Sequence, residues 1–144
     1  MVKFIFVRHG ESKSNEVGKF AGSSDIPLSI LGEKQAQLVC ERLVKTYKID
    51  GIYASPLSRA SDTVKGVGEK LGLPVVKDEA FKEINGGLWE KKTLEEIANL
   101  YADDWAFWQR DVGLARPTGG ESFEEVQTRA LKRLVELQKE KDVL

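Results

Sequence analysis

The 144-residue chain carries 22 Lys and Arg against 23 Asp and Glu, a net charge of −1, so no global field points to nucleic acid or to an anionic membrane. Hydrophobic residues make up 41% and charged residues 31%, the balance of one globular domain with one core, and any anion site must be local. One histidine and one cysteine exclude an internal disulfide and give no ligand set for zinc, so no metal or other cofactor is expected and an intracellular, cytoplasmic home is indicated.

Val2–Val7 is an apolar run closed by Arg8-His9-Gly10 and is predicted to be a buried strand ending at a polar loop. It is far too short for a signal peptide or a membrane span. Glu11–Leu28, rich in Gly, Ser and Asn, is predicted as loop. Ser29 caps a helix whose apolar stripe is Leu31, Ala36, Val39, Leu43 and Tyr47. Gly51–Ala54 is a second strand. Ser55-Pro56 opens the next helix, with proline at the favoured first position, and Gly72 and Pro74 end it. Pro74–Lys77 is a third strand. Thr93 with Glu96, and Ser122 with Glu125, are capping boxes for two later helices. Phe123, Val126, Ala130, Leu134 and Leu137 give the last helix its core face, and Asp142-Val143-Leu144 reads as the opening of a further strand.

This alternation predicts an α/β fold with a mainly parallel sheet, whose sites lie at the carboxyl ends of the strands. Arg8-His9 and Ser55–Arg59 both fall at such ends. A neutral imidazole can attack phosphorus and later leave from it, which suits His9 to a covalent relay. Arg8 can fork onto two phosphate oxygens, and Asn15 can donate its amide to another. Arg59, in the first turn of its helix, would complete a clamp on a tetrahedral dianion. Glu83, in Phe81-Lys82-Glu83-Ile84-Asn85-Gly86-Gly87-Leu88-Trp89-Glu90, can protonate a leaving oxygen and then activate water. Each segment alone also has an ordinary structural reading. The aromatics Trp89, Trp105, Phe107 and Trp108 read as core sooner than as a lid.

Together the segments resemble the histidine phosphatase (phosphoglycerate mutase-like) superfamily. Arg8-His9-Gly10-Glu11-Ser12-Lys13-Ser14-Asn15 matches its signature, and Phe20-Ala21-Gly22 through Asp25-Ile26-Pro27-Leu28-Ser29 looks like the loop that follows. Tyr53-Ala54-Ser55-Pro56-Leu57-Ser58-Arg59-Ala60 is similar to its second-arginine motif. Glu83 with Gly87-Leu88-Trp89-Glu90 resembles its acid loop, and Thr118-Gly119-Gly120-Glu121-Ser122 the segment before its long late helix. The resemblance implies a three-layer α/β/α sandwich with His9 as the phosphohistidine. It implies a phosphoryl group bound by Arg8, Arg59 and Asn15, with Gly22 and Ser55 beside it, and Glu83 as proton donor and acceptor. It implies no metal, since arginines take the place of Mg²⁺.

Two departures stand out. Lys91 follows Glu90 where the family usually has glycine. The family's second active-site histidine has no counterpart, so the expectation is a single domain over residues 1–144 truncated before its last strand. Such a chain would leave an open edge along Val2–Val7 that a second copy could pair with, as a homodimer. The resemblance implies a phosphomonoesterase acting on a small phosphorylated metabolite. A cofactor-dependent phosphoglycerate mutase is the alternative, disfavoured by the short stretch from Lys91 to Gly120. A non-catalytic phosphate-binding fragment is the third reading.

Overall fold

A computed structural model describes residues 2–16 and 18–142, with the side chains of Asn15, Glu16, Lys141 and Asp142 outside the description. The elements are α1 (Lys13–Glu16), α2 (Ile30–Thr46), β1 (Ile52–Ala54), α3 (Ser58–Leu71), β2 (Val75–Lys77), α4 (Leu94–Leu100), α5 (Ala102–Arg110) and α6 (Phe123–Asp142). Single 3₁₀ turns lie at Glu79–Phe81 and Gly87–Trp89. The fold is α/β with a parallel sheet, as the alternation predicts. β1 and β2 run parallel in the register Ile52↔Val75, Tyr53↔Val76 and Ala54↔Lys77. α3 is the crossover between them, which a parallel pair requires.

α2 and α3 pack on each other over a core of Cys40, Leu43, Ile52 and Val67. Gly66 lets the helices approach there, because a Cβ at that position would crowd the Cys40 sulfur at 3.3 Å. Of the predicted α2 stripe, Ala36 and Leu43 are buried and Val39 and Tyr47 pack against the core. Cys40 takes a core position, while Leu31 is exposed. Ser29 is the N-cap as expected, its Oγ accepting from Gly32 N–H at 3.1 Å. α3 begins at Ser58, two residues after the predicted start at Pro56. Proline pushes the residue before it into extended backbone, and Ser55 Oγ accepts from Leu57 N–H at 3.3 Å, holding a turn there instead. Gly72 ends α3 with φ 66°. The capping box at Thr93 and Glu96 is complete. Ser122 and Glu125 also bond reciprocally at the start of α6. In α6, Leu137 is buried and Val126, Ala130 and Leu134 are half-buried. Phe123 is exposed on one side but stacks on Trp108.

Two elements differ from expectation. The loop after Glu11 contains the one-turn helix α1. The run Val2–Val7 forms no strand among the described residues. A strand exists only in a ladder, and among the described residues β1 pairs with β2 alone, on one side. With no ladder to seat it, the run lies on the surface. Phe4, Ile5, Phe6 and Val7 are all exposed, Phe6 at 76%. No helix among the described residues is long and apolar enough to cross a membrane. Of the strand opening expected at Asp142-Val143-Leu144, Asp142 instead ends α6, and Val143 and Leu144 lie outside the described residues.

The second half builds around Trp89, which is fully buried. Its ring meets Phe20, Trp105 and Trp108 edge-on at 5.4–5.9 Å, geometries that aromatic quadrupoles favour. Its indole N–H reaches Thr118 Oγ1 at 3.2 Å. These tryptophans are core, as the sequence reading favoured. Phe107 stays outside, with the Arg110 guanidinium over its ring.

The unpaired run predicts an exchange pattern. Backbone amides of Phe4–Val7 should exchange with solvent at least about 10²-fold faster than those of Val64–Val67 in α3, as read by hydrogen–deuterium exchange. Equal protection would mean that the run is hydrogen-bonded in solution.

Candidate active site

His9 sits at the turn that follows the apolar run, half-buried. Its Nδ1 lies 2.7 Å from the Gly10 carbonyl oxygen. A carbonyl can only accept, so Nδ1 carries the proton. In the neutral ring the lone pair is then on Nε2. The turn is anchored on two sides. Gly10 N–H donates to Thr63 Oγ1 at 3.0 Å, and that hydroxyl donates to the Arg59 carbonyl at 2.6 Å, so the turn hangs on α3. On the other side Gly10 packs on the first turn of α2, where any Cβ would stand 2.5 Å from the Gly32 oxygen. Glu11 locks this contact. Its N–H donates to Gln35 Oε1 at 2.8 Å, and its Oε1 accepts from Ser29 Oγ at 2.6 Å.

Arg59 is 2% exposed. Its Nη1 donates to the Ser24 carbonyl at 2.8 Å and its Nη2 to the Gly22 carbonyl at 2.6 Å. Two of the five guanidinium hydrogens are thereby used, and three remain. Burial lowers its pKa, while the carboxylates of Glu83, Asp25 and Glu90, in that order, raise it. Glu83 is exposed, and its Oε1 accepts from the Ile84 N–H at 2.9 Å. Its backbone is fixed from α6. Arg129 donates to the carbonyls of Ala80 at 2.8 Å and Glu83 at 3.4 Å while paired with Glu121 at 2.9 Å.

The structure therefore links His9, Arg59, Gly22 and Glu83 through adjoining segments. Ser55 is buried, with its Oγ engaged in the turn that leads into α3. Arg8 is exposed and makes no hydrogen bond or ion pair among the described residues. Asn15 lies in α1, with its side chain outside the description. Among the described residues, no cluster of His, Cys, Asp and Glu could hold a metal ion.

Two residues that no role was given to in sequence stand at the centre of this arrangement. Asp25 Oδ1 accepts from Ser58 N–H at 2.7 Å, so a carboxylate distant in sequence occupies the amino end of α3. The bond to the Ser58 backbone, chiefly, holds the Asp25 carboxyl below its ordinary range. Glu90 receives donors from two segments of chain at once. The signal for both was composition: an acid beside the conformationally demanding Gly22 loop, and an acid directly after a buried Trp-containing turn.

Gly22 has φ 37°, and a Cβ there would overlap Glu90 Oε1 and stand 2.7 Å from the Ile84 oxygen. Lys91 is the one non-glycine with positive φ among the described residues, at 65°, in the position where the resembling family has glycine. Its N–H donates to the Phe20 carbonyl at 2.7 Å, which holds the strained backbone in place. Substitutions at the two sites should act in opposite directions. Gly22→Ala should destabilise by about 1–3 kcal/mol, and Lys91→Gly should stabilise by about 0.5–1 kcal/mol, in denaturant titrations. A Gly22→Ala chain as stable as the parent would contradict the close approach of Glu90.

The model of the histidine phosphatase superfamily (branch 1) matches residues 4–144. Phosphoserine phosphatase 1 of Hydrogenobacter thermophilus is 37% identical over 139 residues, covering 96% of this chain and 65% of that protein. Phosphoglycerate mutase-like protein 4 of Arabidopsis thaliana is 34% identical over 137 residues, covering 92% of this chain and 60% of that protein. The chain thus spans somewhat under two thirds of the length of these relatives. Among solved structures, a mycobacterial glucosyl-3-phosphoglycerate phosphatase superposes with a TM-score of 0.81 at 34% identity, covering 91% of this chain and 64% of that one. The alpha-ribazole phosphatase of Shigella flexneri gives 0.86 at 29% identity, over 94% of this chain and 67% of that one.

Proposed function

The chain belongs to the histidine phosphatase superfamily, branch 1, and from that membership and the geometry at His9 we propose a phosphomonoesterase that works through a phosphohistidine. The observation that carries the reading is the bond from Nδ1–H to the Gly10 carbonyl, which fixes the tautomer with its lone pair on Nε2.

In the first step Nε2 attacks the phosphorus of a phosphate monoester. A nitrogen–phosphorus bond forms as the bond to the ester oxygen breaks. Glu83, protonated, gives its proton to the departing alkoxide, which leaves as the alcohol. In the second step the Glu83 carboxylate takes a proton from water as that water attacks the phosphohistidine. Inorganic phosphate leaves, and His9 returns neutral. Arg59 supports both steps with a positive charge whose position two backbone carbonyls fix, and Arg8 and Asn15 supply further donors. The substrate is a small phosphorylated metabolite. The phosphatase names of several relatives and solved structures support hydrolysis, and the short segment between Lys91 and Gly120 supports it over a mutase.

His9→Ala should abolish an acid-labile phosphoenzyme and lower hydrolysis of p-nitrophenyl phosphate by at least ~10³-fold. Survival of that phosphoenzyme in the variant would sink the assignment. Glu83→Gln should cost about 10²–10⁴-fold on alkyl phosphates and much less on aryl phosphates, whose leaving groups need little protonation. An equal loss across leaving groups would assign Glu83 a positional role instead. A panel that includes 3-phosphoglycerate reports directly on the mutase alternative.

A further inference from the structure

The peptide group joining Gly22 to Ser23 lies between two charges. Its carbonyl, on Gly22, accepts from Arg59 Nη2 at 2.6 Å. Its N–H, on Ser23, donates to Glu90 Oε1 at 2.9 Å. A cation at the oxygen end and an anion at the hydrogen end polarise one amide in the same sense, so each bond strengthens the other. The next residue continues the pattern. Ser24 shares its N–H between the Ala21 carbonyl at 2.8 Å and Glu90 Oε2 at 3.2 Å and gives its hydroxyl to the same Glu90 oxygen at 2.6 Å, while its carbonyl accepts from Arg59 Nη1 at 2.8 Å.

Glu90 also reaches the other wall of the site. Its Oε1 accepts from Gly86 N–H at 2.8 Å and lies 3.4 Å from the Ser23 hydroxyl. One carboxylate thus gathers donors from the loop at residues 23–24 and from the turn after Glu83. The backbone is shaped for it: a side chain at Gly22 would overlap Glu90 Oε1, and a Cβ at Gly86 would stand 2.7 Å from it. Without this acceptor the Ser23 N–H loses its bond, and residues 22–24 keep only the turn bond from Ser24 N–H to the Ala21 carbonyl at 2.8 Å beside the two Arg59 contacts, which leaves the carbonyl anchors of Arg59 less firmly oriented. Neither a conventional helix cap nor a surface ion pair explains a half-buried carboxylate with five donors.

We propose that Glu90 is a positioning residue for the phosphoryl-binding arginine: by orienting the peptides of residues 22–24, it sets where the Arg59 guanidinium points. The inference rests on the phosphatase reading for what Arg59 binds, but not for the contact itself. Glutamine keeps one acceptor oxygen and replaces the other with an NH₂ donor, which would face N–H groups it cannot satisfy. Glu90→Gln should therefore loosen the arrangement and Glu90→Ala should abolish it.

The test uses the full chain with ¹⁵N-labelled arginine. In the parent, the Arg59 guanidinium hydrogens should exchange slowly with solvent. In Glu90→Gln and Glu90→Ala their exchange should accelerate by about 10-fold or more, while Arg133, paired with Asp78 at 2.6 Å, stays unchanged as an internal reference. Calorimetry with inorganic phosphate adds the functional arm. Glu90→Ala should weaken binding by about 10-fold in the parent but by no more than about 2-fold in an Arg59→Lys background, because two residues acting through one contact are not additive. Unchanged Arg59 exchange in both Glu90 variants would overturn the inference. So would equal loss of the Arg59 and Arg133 signals in both, which would mark a general structural role. A parent chain that binds no phosphate would instead overturn the phosphatase reading, and the exchange of Arg59 would still decide the role of Glu90.

Discussion

A buried guanidinium is the constraint around which the first half of this protein is arranged. Arg59 cannot shed its charge at any physiological pH, so removing it from water demands acceptors and counter-charge close by. The fold provides both by bringing distant segments to it. Two carbonyls of the loop at residues 22–24 accept from its terminal nitrogens, and the carboxylates of Glu83, Asp25 and Glu90 surround it. That loop then needs its own support, which comes from Glu90 and from the short ladder between Phe20 and Lys91–Lys92. The charge on one helix thereby dictates the conformation of two loops and the backbone angles at Gly22 and Lys91.

The nucleophile is placed by a different device, the absence of side chains. Gly10 and Gly32 let a loop and a helix start touch backbone to backbone, and the Thr63 hydroxyl bonds the same loop to α3. His9 is therefore located against α2 and α3 together, which are also the pair that packs the core of Cys40, Leu43 and Val67. Stability of that core and placement of the imidazole are the same problem here.

Periodicity and caps made most of the helices legible. Ser29, Gly72 and the two capping boxes behave as local chemistry dictates, because a cap needs only a few neighbouring residues. The two short strands were legible for a similar reason, as apolar runs bounded by glycine and proline. The run Val2–Val7 was misread because its pattern reports what could be buried, and burial requires a ladder partner that no local rule supplies. The start of α3 was set too early because the acceptor at Ser55 competes with the helix. Of the candidate site, His9, Arg59, Gly22 and Glu83 were named from motif and chemistry, and the structure places them on adjoining segments. Asp25 and Glu90 stood inside the motifs but had no role of their own, because their partners lie far along the chain, Ser58 for one and the 23–24 loop for the other. Non-local hydrogen bonds leave no spacing to read.

The exposed run at the amino end has a consequence for the behaviour of the chain in solution. Phe4-Ile5-Phe6-Val7 is uncharged, free of glycine and proline, and made wholly of residues with high strand propensity, the composition that seeds intermolecular β-structure. Lys3 and Arg8 bracket it with a positive charge at each end, the placement of gatekeeper residues. Arg8 thus occupies two roles that pull on the same side chain: a donor proposed for phosphate, and a guard that keeps like-charged copies from stacking. Neutralising it removes electrostatic repulsion between exposed runs as well as the donor proposed for phosphate. On that proposal, phosphate held by Arg8 cancels one of the two guarding charges, and ligand occupancy bears on colloidal solubility.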